Sequence, residues 1–177
     1  MRVITNFKKQ TTMVKLHKAV LLLSLLTLFS SCSEADFSVS APKGWIVIDR
    51  VAENSKRVVK MHPPIVGFTP VFVENIIISI ADVPFLDWYE KSIISGLKKD
   101  AQYFIERGKG SIEINEYTAL WEHHIISANH SSDTLEQKIY FIKDYGSIYQ
   151  IVCSSKLDQM ENFQNVIDEV LNSFKIK

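Results

Sequence analysis

The chain has 177 residues with 20 basic and 20 acidic side chains, so its formal net charge is zero, and 46% of it is apolar. That length suits one domain of ordinary size around a single core, and the composition excludes a disordered or low-complexity chain. With only two cysteines, Cys32 and Cys153, a disulfide-stapled scaffold is excluded as well.

Lys15, His17 and Lys18 open a basic stretch, Ala19 to Phe29 is an apolar run broken only by Ser24 and Thr27, and the small Ser30 and Ser31 follow. Charged, apolar and small residues in this order are the pattern of a secretory signal. The run is shorter than the roughly 20 residues a spanning helix needs, and it has no polar face to suit a core helix. Met13 offers a second start ahead of the signal. Leu28-Phe29-Ser30-Ser31-Cys32 resembles a bacterial lipobox, with Phe29 where leucine is more usual. The resemblance implies that residues 1–31 are removed as a lipoprotein signal peptide and that Cys32 is lipidated and becomes the mature N-terminus. Residues 32–40 then tether a globular domain over 41–177 to the membrane, with Phe37 and Val39 alternating against serines as the tether passes into the first strand. Several acyl chains on one cysteine make a stable anchor where a single chain would not. Ser33 implies the outer membrane as destination, and Glu34 with Asp36 implies a surface-export signal in some phyla.

Losing residues 1–31 removes five basic and no acidic side chains, which leaves 15 against 20 and a net charge of −5. No basic patch or stripe remains, so nucleic acid is not expected as a partner. If Cys32 is lipidated, Cys153 has no disulfide partner. Its neighbours Ile151 and Val152 place it in a strand as a small buried hydrophobe.

After the tether, Ala41-Pro42-Lys43-Gly44-Trp45 reads as a turn delivering an aromatic to a strand over Trp45 to Asp49. Val58 to Met61 is a second short strand, stopped by His62-Pro63-Pro64 because proline has no amide to donate. Val71 to Val83 is the strongest strand, with Ile76, Ile78 and Ile80 on one face and Ile77 and Ala81 on the other, which predicts a central position covered on both sides. A long helix is predicted next. Asp87 and Glu90 have capping-box spacing, Phe85, Tyr89, Ile93, Leu97, Ala101 and Phe104 with Ile105 recur at helical intervals and would face the sheet, and Gly108 reads as its C-cap. A meander follows, with strands over Ser111 to Ile114, Tyr117 to Ala128, Leu135 to Lys143 and Ser147 to Cys153. The tight turn Asp144-Tyr145-Gly146 requires the last two to pair antiparallel. Asp158 and Glu161 repeat the capping-box spacing, and Phe163, Val166, Ile167, Val170, Leu171 and Phe174 define a closing amphipathic helix.

This order predicts an α+β fold in which an antiparallel sheet is sandwiched by helices. The Pro42-x-Gly44-Trp45 lead-in, the isoleucine-rich strand with its long helix, the meander and the last helix ending in Ser173-Phe174 resemble the PsbP-like α/β/α superfamily, which includes the DcrB-like bacterial lipoproteins. The resemblance spans nearly all of the mature chain and implies the fold. Its members have no shared catalytic motif, so it assigns no site residues.

His123 and His124, with Glu122, Glu113, Glu116 and His130 nearby in sequence, suggest a metal site. Adjacent strand residues point to opposite faces, however, and no zinc spacing is present. The chain has no Gly-x-Ser-x-Gly elbow and no His-Glu-x-x-His. The Asn129-His130-Ser131 sequon is incidental in a bacterial envelope protein. Trp121 is expected in the core and Trp88 at the edge of the hydrophobic core, with the border of an exposed patch as the alternative for Trp88. The expectation is therefore a lipid-anchored envelope protein that is not an enzyme and has no cofactor and no assigned catalytic or metal residue. It would bind the membrane through Cys32 and a second envelope protein through its domain. The alternative is a lipoprotein that binds a small ligand or a metal.

Overall fold

The computed structural model describes residues 36–51, 56–65, 72–128 and 134–177. The signal segment, Cys32, the start of the tether and the loop with the sequon and His130 lie outside these residues. The described elements in chain order are β1 (Phe37–Ser38), β2 (Ile46–Val51), β3 (Arg57–His62), β4 (Asn75–Ala81), α1 (Leu86–Asp100), β5 (Ala101–Ile114) and β6 (Tyr117–Ala128). They continue with β7 (Thr134–Asp144), β8 (Ser147–Lys156), α2 (Met160–Ser173) and β9 (Lys175–Ile176). Seven strands form one antiparallel sheet in the order β2-β3-β4-β8-β7-β6-β5, and β1 pairs with β9 in a separate ribbon. No described helix is long and apolar enough to cross a membrane.

The alternation in β4 does what its pattern predicts. Ile76, Ile78 and Ile80 stand opposite Cys153, Ile151 and Tyr149 of β8, and all six are buried. On this face α2 lays down Met160, Phe163, Ile167, Val170 and Leu171, sealing the main core. Ile139, Phe141 and Ile148 point to the other face, where α1 contributes one buried residue, Ile94, and the partly buried Tyr89, Ile93 and Leu97. The predicted cover of the sheet by helices is thus uneven, deep under α2 and thin under α1. At the meander turn, Tyr145 and Gly146 both have positive φ, 38° and 90°, which suits the tight hairpin joining β7 to β8.

Three expectations are corrected. The helix predicted to run to Gly108 stops at Asp100, and Ala101 begins a 14-residue strand that absorbs the short one predicted at Ser111 to Ile114. Gly108 and Gly110 cap nothing. They pair with His123 and Trp121 of β6, and the indole lies so close that a Cβ on Gly110 would sit 3.2 Å from its Nε1. Neither capping box forms, since Phe85 and Gln159 occupy the N-cap positions without side-chain caps. Asp87 and Glu161 instead lie in first turns, where a negative charge complements the helix dipole.

The third correction concerns only the boundary at residue 41, because residues 36–40 are part of the folded unit and the expected alternation at Phe37 falls in β1. Phe37 is fully buried against Tyr149 and Phe174, at ring separations of 6.3 and 5.6 Å. Arg57 clamps this segment to the sheet edge. Its Nη1 donates to Asp36 Oδ1 at 2.7 Å and to the Phe37 carbonyl, while Nε and Nη2 reach both oxygens of Asp49. These bonds hold the Asp36 and Asp49 carboxyls below the usual carboxylate range, although burial works against the shift at Asp36. We expect Arg57→Met to cost about 1–2 kcal/mol in urea unfolding, since the lost bonds are charge-assisted but partly exposed to solvent.

Candidate functional site

The alternation of β6 sorts its polar residues onto two faces. Ala119, Trp121 and His123 face α2, whereas Leu120, Glu122 and His124 face α1. The two histidines therefore never meet, as their adjacency predicts. His123 Nε2 lies 2.8 Å from Glu136 Oε1, and Glu136 Oε2 accepts the Asp158 amide at 3.1 Å. Burial lowers the His123 pKa against the pull of Glu136. A neutral imidazole donating to a carboxylate that also holds the turn before α2 is a structural tie.

The other face is different in kind. His124 is wholly buried with neither ring nitrogen partnered, and Glu122, 5% exposed, has an unpartnered Oε2. The two approach to 3.9 Å between His124 Nδ1 and Glu122 Oε2. Phe104 of β5 packs on the imidazole with ring centres 5.1 Å apart, and Gln137 stands directly opposite His124 on β7. Gln137 donates through Nε2 to Ser154 Oγ at 3.0 Å, which leaves its buried Oε1 without a partner. Most buried polar atoms in folded proteins are satisfied, so four unsatisfied ones in so small a region call for a reason.

The electrostatics follow from this burial. Desolvation, reinforced by the neighbouring Glu90 of α1, pushes the Glu122 carboxyl up to about 7. Desolvation first, then His123, lowers His124 to about 4. Both groups are therefore neutral in the folded protein near pH 6. Above Glu122 opens a cleft of about 370 Å³ between α1 and β5–β6, walled by Glu90, Lys91 and Ile94 on the helix side and by Glu106 and Lys109 on the strand side. Lys109 Nζ is 3.5 Å from Glu106, and Lys98 Nζ sits 5.0 Å over the Phe104 ring.

The remaining sequence candidates are engaged elsewhere. Glu113 accepts from the Thr118 hydroxyl at 2.8 Å and Glu116 from the Tyr117 hydroxyl at 2.9 Å, both in the β5–β6 hairpin. Among the described residues no three His, Cys, Asp or Glu side chains gather as metal ligands. Cys153 is buried, and desolvation raises its thiol pKa, which suppresses the reactive thiolate. Trp121 packs on the main core, whereas Trp88, expected at the core edge, is 61% exposed beside Phe85, which lies ahead of α1 and is exposed too rather than facing the sheet. A second cavity of about 480 Å³ opens on the α2 face beside Tyr103, Arg107 and Leu157, and none of the unpartnered buried atoms lines it. The site that matters was half visible in the sequence. Glu122 and His124 two apart on a strand signal a shared face, but Glu90 and Gln137 come from other elements and no local pattern links them.

No family model matches this sequence, and no curated protein does. Solved structures share its fold. LpqN of Mycobacterium tuberculosis, described as involved in cell envelope biogenesis, is 13% identical with a TM-score of 0.58, over 84% of this chain and 87% of LpqN. The cyanobacterial PsbP protein CyanoP of Synechocystis is 13% identical with a TM-score of 0.54, over 84% of this chain and 96% of its own. The Saccharomyces cerevisiae Ran-binding protein Mog1p is 12% identical with a TM-score of 0.51, over 78% of this chain and 89% of Mog1p. At these identities the likeness establishes one thing, an α+β fold of the PsbP-like kind.

Proposed function

We propose that the chain is a lipid-anchored bacterial envelope protein, held at the outer membrane through Cys32, whose domain binds another envelope protein without catalysis. The observation that carries the reading is the edge strand β2. All six of its residues are exposed, and Ile46, Val47, Ile48 and Val51 present apolar side chains at 44–69% exposure. Among the described residues nothing pairs with its outer edge. Natural proteins usually blunt such an edge with charge, proline or a bulge, because a row of free amides and carbonyls recruits another strand. Here four of the six residues are apolar, the charges Asp49 and Arg50 are confined to the strand's second half and Asp49 is engaged by Arg57, so an extended segment of a partner can add along Ile46–Ile48 through backbone hydrogen bonds. LpqN, with the same fold and its stated part in envelope biogenesis, is consistent with that setting.

The test has two parts. Crosslinked envelopes should yield one specific protein with the parent chain. That protein should disappear with Ile48→Lys, which blunts the edge, and persist with Ile112→Lys on the opposite edge strand. Recovery unchanged by Ile48→Lys would remove the basis of the reading. Anchoring is tested on its own by Cys32→Ser, which we expect to abolish acyl labelling and to leave uncleaved precursor. A variant labelled and processed like the parent would refute the lipobox.

A further inference from the structure

We propose that the cleft between α1 and β5–β6 binds a small zwitterion, with the ammonium group on Glu122 and Glu90 and the anionic group among the lysines at the mouth. The inference rests on how charge is layered with depth. At the floor lies Glu122, 95% buried, with Oε2 free of any hydrogen bond, and Glu90 of α1 lines the same cleft. At the mouth stand Lys91, Lys98 and Lys109, all exposed. Glu106, the remaining acid of the lining, already faces Lys109 at 3.5 Å.

A buried carboxylate oxygen without a donor is costly, and what satisfies it best is an N–H donor carrying positive charge. An ammonium group fits, since it has three donors and two carboxyls, Glu122 and Glu90, line the same cleft. A simple amine would still have to pass three lysines of its own sign. A zwitterion does not meet that barrier, because its anionic end neutralises the mouth as its cationic end reaches the floor. The cleft volume of about 370 Å³ lies in the range of small-molecule sites. Ethanolamine phosphate represents this chemistry, whether as a free compound or as a lipid headgroup.

Calorimetric titration of the full chain at pH 8 with O-phosphoethanolamine, ethanolamine and inorganic phosphate tests the proposal. We expect O-phosphoethanolamine to bind at least tenfold more tightly than either part alone. Glu122→Gln should weaken it at least tenfold, and Lys109→Gln should erase most of its advantage over ethanolamine. Affinity should fall from pH 8 to pH 6, because the ammonium must replace a proton on the carboxyl pair. Should Glu122→Gln fail to fold, Glu90→Gln on the same pair reads the same loss. Vesicles of phosphatidylethanolamine, compared with phosphatidylcholine whose headgroup has no N–H donor, separate the two sources. Retention only on the former assigns a lipid headgroup, and binding of the free compound alone assigns a soluble ligand. No heat with O-phosphoethanolamine at millimolar concentration, or equal binding by parent and Glu122→Gln, overturns the proposal. Neither result bears on capture at β2, so the partner-binding reading stands or falls separately.

Discussion

Phe37→Ala is expected to destabilise the domain by about 3–5 kcal/mol, the cost of emptying a fully buried phenylalanine site. A domain of this size has only about 5–15 kcal/mol to lose, so the urea midpoint should fall by roughly 2 M. The reason lies in what holds the start of the domain. The β1–β9 ribbon has two rungs, too few to secure a chain segment by backbone bonding. The Phe37 ring does that instead, filling a space bounded by Tyr149 of β8 and by Phe174 just past α2, with the Arg57 guanidinium 4.7 Å over its face. Tyr149 and Phe174 also touch each other at 5.8 Å, so removing the third ring opens a void that neither can close without leaving the other. Phe37→Leu, which keeps most of the volume, should cost less than half as much. Hydrogen exchange adds a local reading, in which amides of β1 and β9 lose protection before those of β4 and β8. If alanine at 37 shifts the midpoint by less than about 0.5 M, the ring is not what closes the domain. In the anchored reading, Phe37 is also where any pull from Cys32 first meets folded structure.

How much of this was legible in the sequence depends on how local the deciding interaction is. Ile76, Ile78 and Ile80 alternate within their own strand, and Phe163, Ile167, Val170 and Leu171 recur within their own helix, so period alone gave their faces. The segment Ala101–Gly108 resists such reading because it suits both periods. Ala101 and Phe104 continue the spacing set by Tyr89, Ile93 and Leu97, and they also form a strand whose partner, β6, is reached only through the Asn115 turn. Pairing with β6 overrides the helical pattern, and the glycine that looked like a cap instead gives room to Trp121. Asp158 failed as a cap for a similar reason, since its amide is taken by Glu136, 22 residues away. At the candidate site, the spacing of Glu122 and His124 was visible, but their burial was not. Burial depends on Phe104 and α1 crossing above them, and Phe104 belongs to the segment that suits both periods.

Glu122→Gln is expected to expose a pH-dependent contribution to stability that cancels within the Glu122–His124 pair of the parent. In the folded chain Glu122 titrates at about 7 in place of 4.5, and His124 at about 4 in place of 6.5. Between pH 4.5 and 7 folding keeps a proton on Glu122 that the unfolded chain has lost, so this contribution is full below 4.5 and declines as pH rises to 7. His124 runs the other way. Its folded form refuses a proton that the unfolded chain holds below 6.5, so this contribution grows as pH rises from 4 to 6.5. From about pH 4.5 to 6.5 the pair carries one proton in either state, and the two slopes cancel. Glutamine at 122 removes one of them. The stability difference between Glu122→Gln and parent should therefore climb by about 2–3 kcal/mol between pH 4.5 and 7.5, ending with the variant more stable, because glutamine never has to ionise in an apolar setting. His124→Phe should show the opposite slope from pH 4 to 6.5, and the double variant should be nearly flat. Using differences from the parent cancels the carboxylates of Asp36, Asp49 and Asp82, whose lowered pKa values govern acid unfolding in every variant. Urea unfolding at pH 4.5, 6 and 7.5 is sufficient. A Glu122→Gln difference that does not vary across that range would mean that Glu122 is already ionised when folded, with a donor to satisfy it.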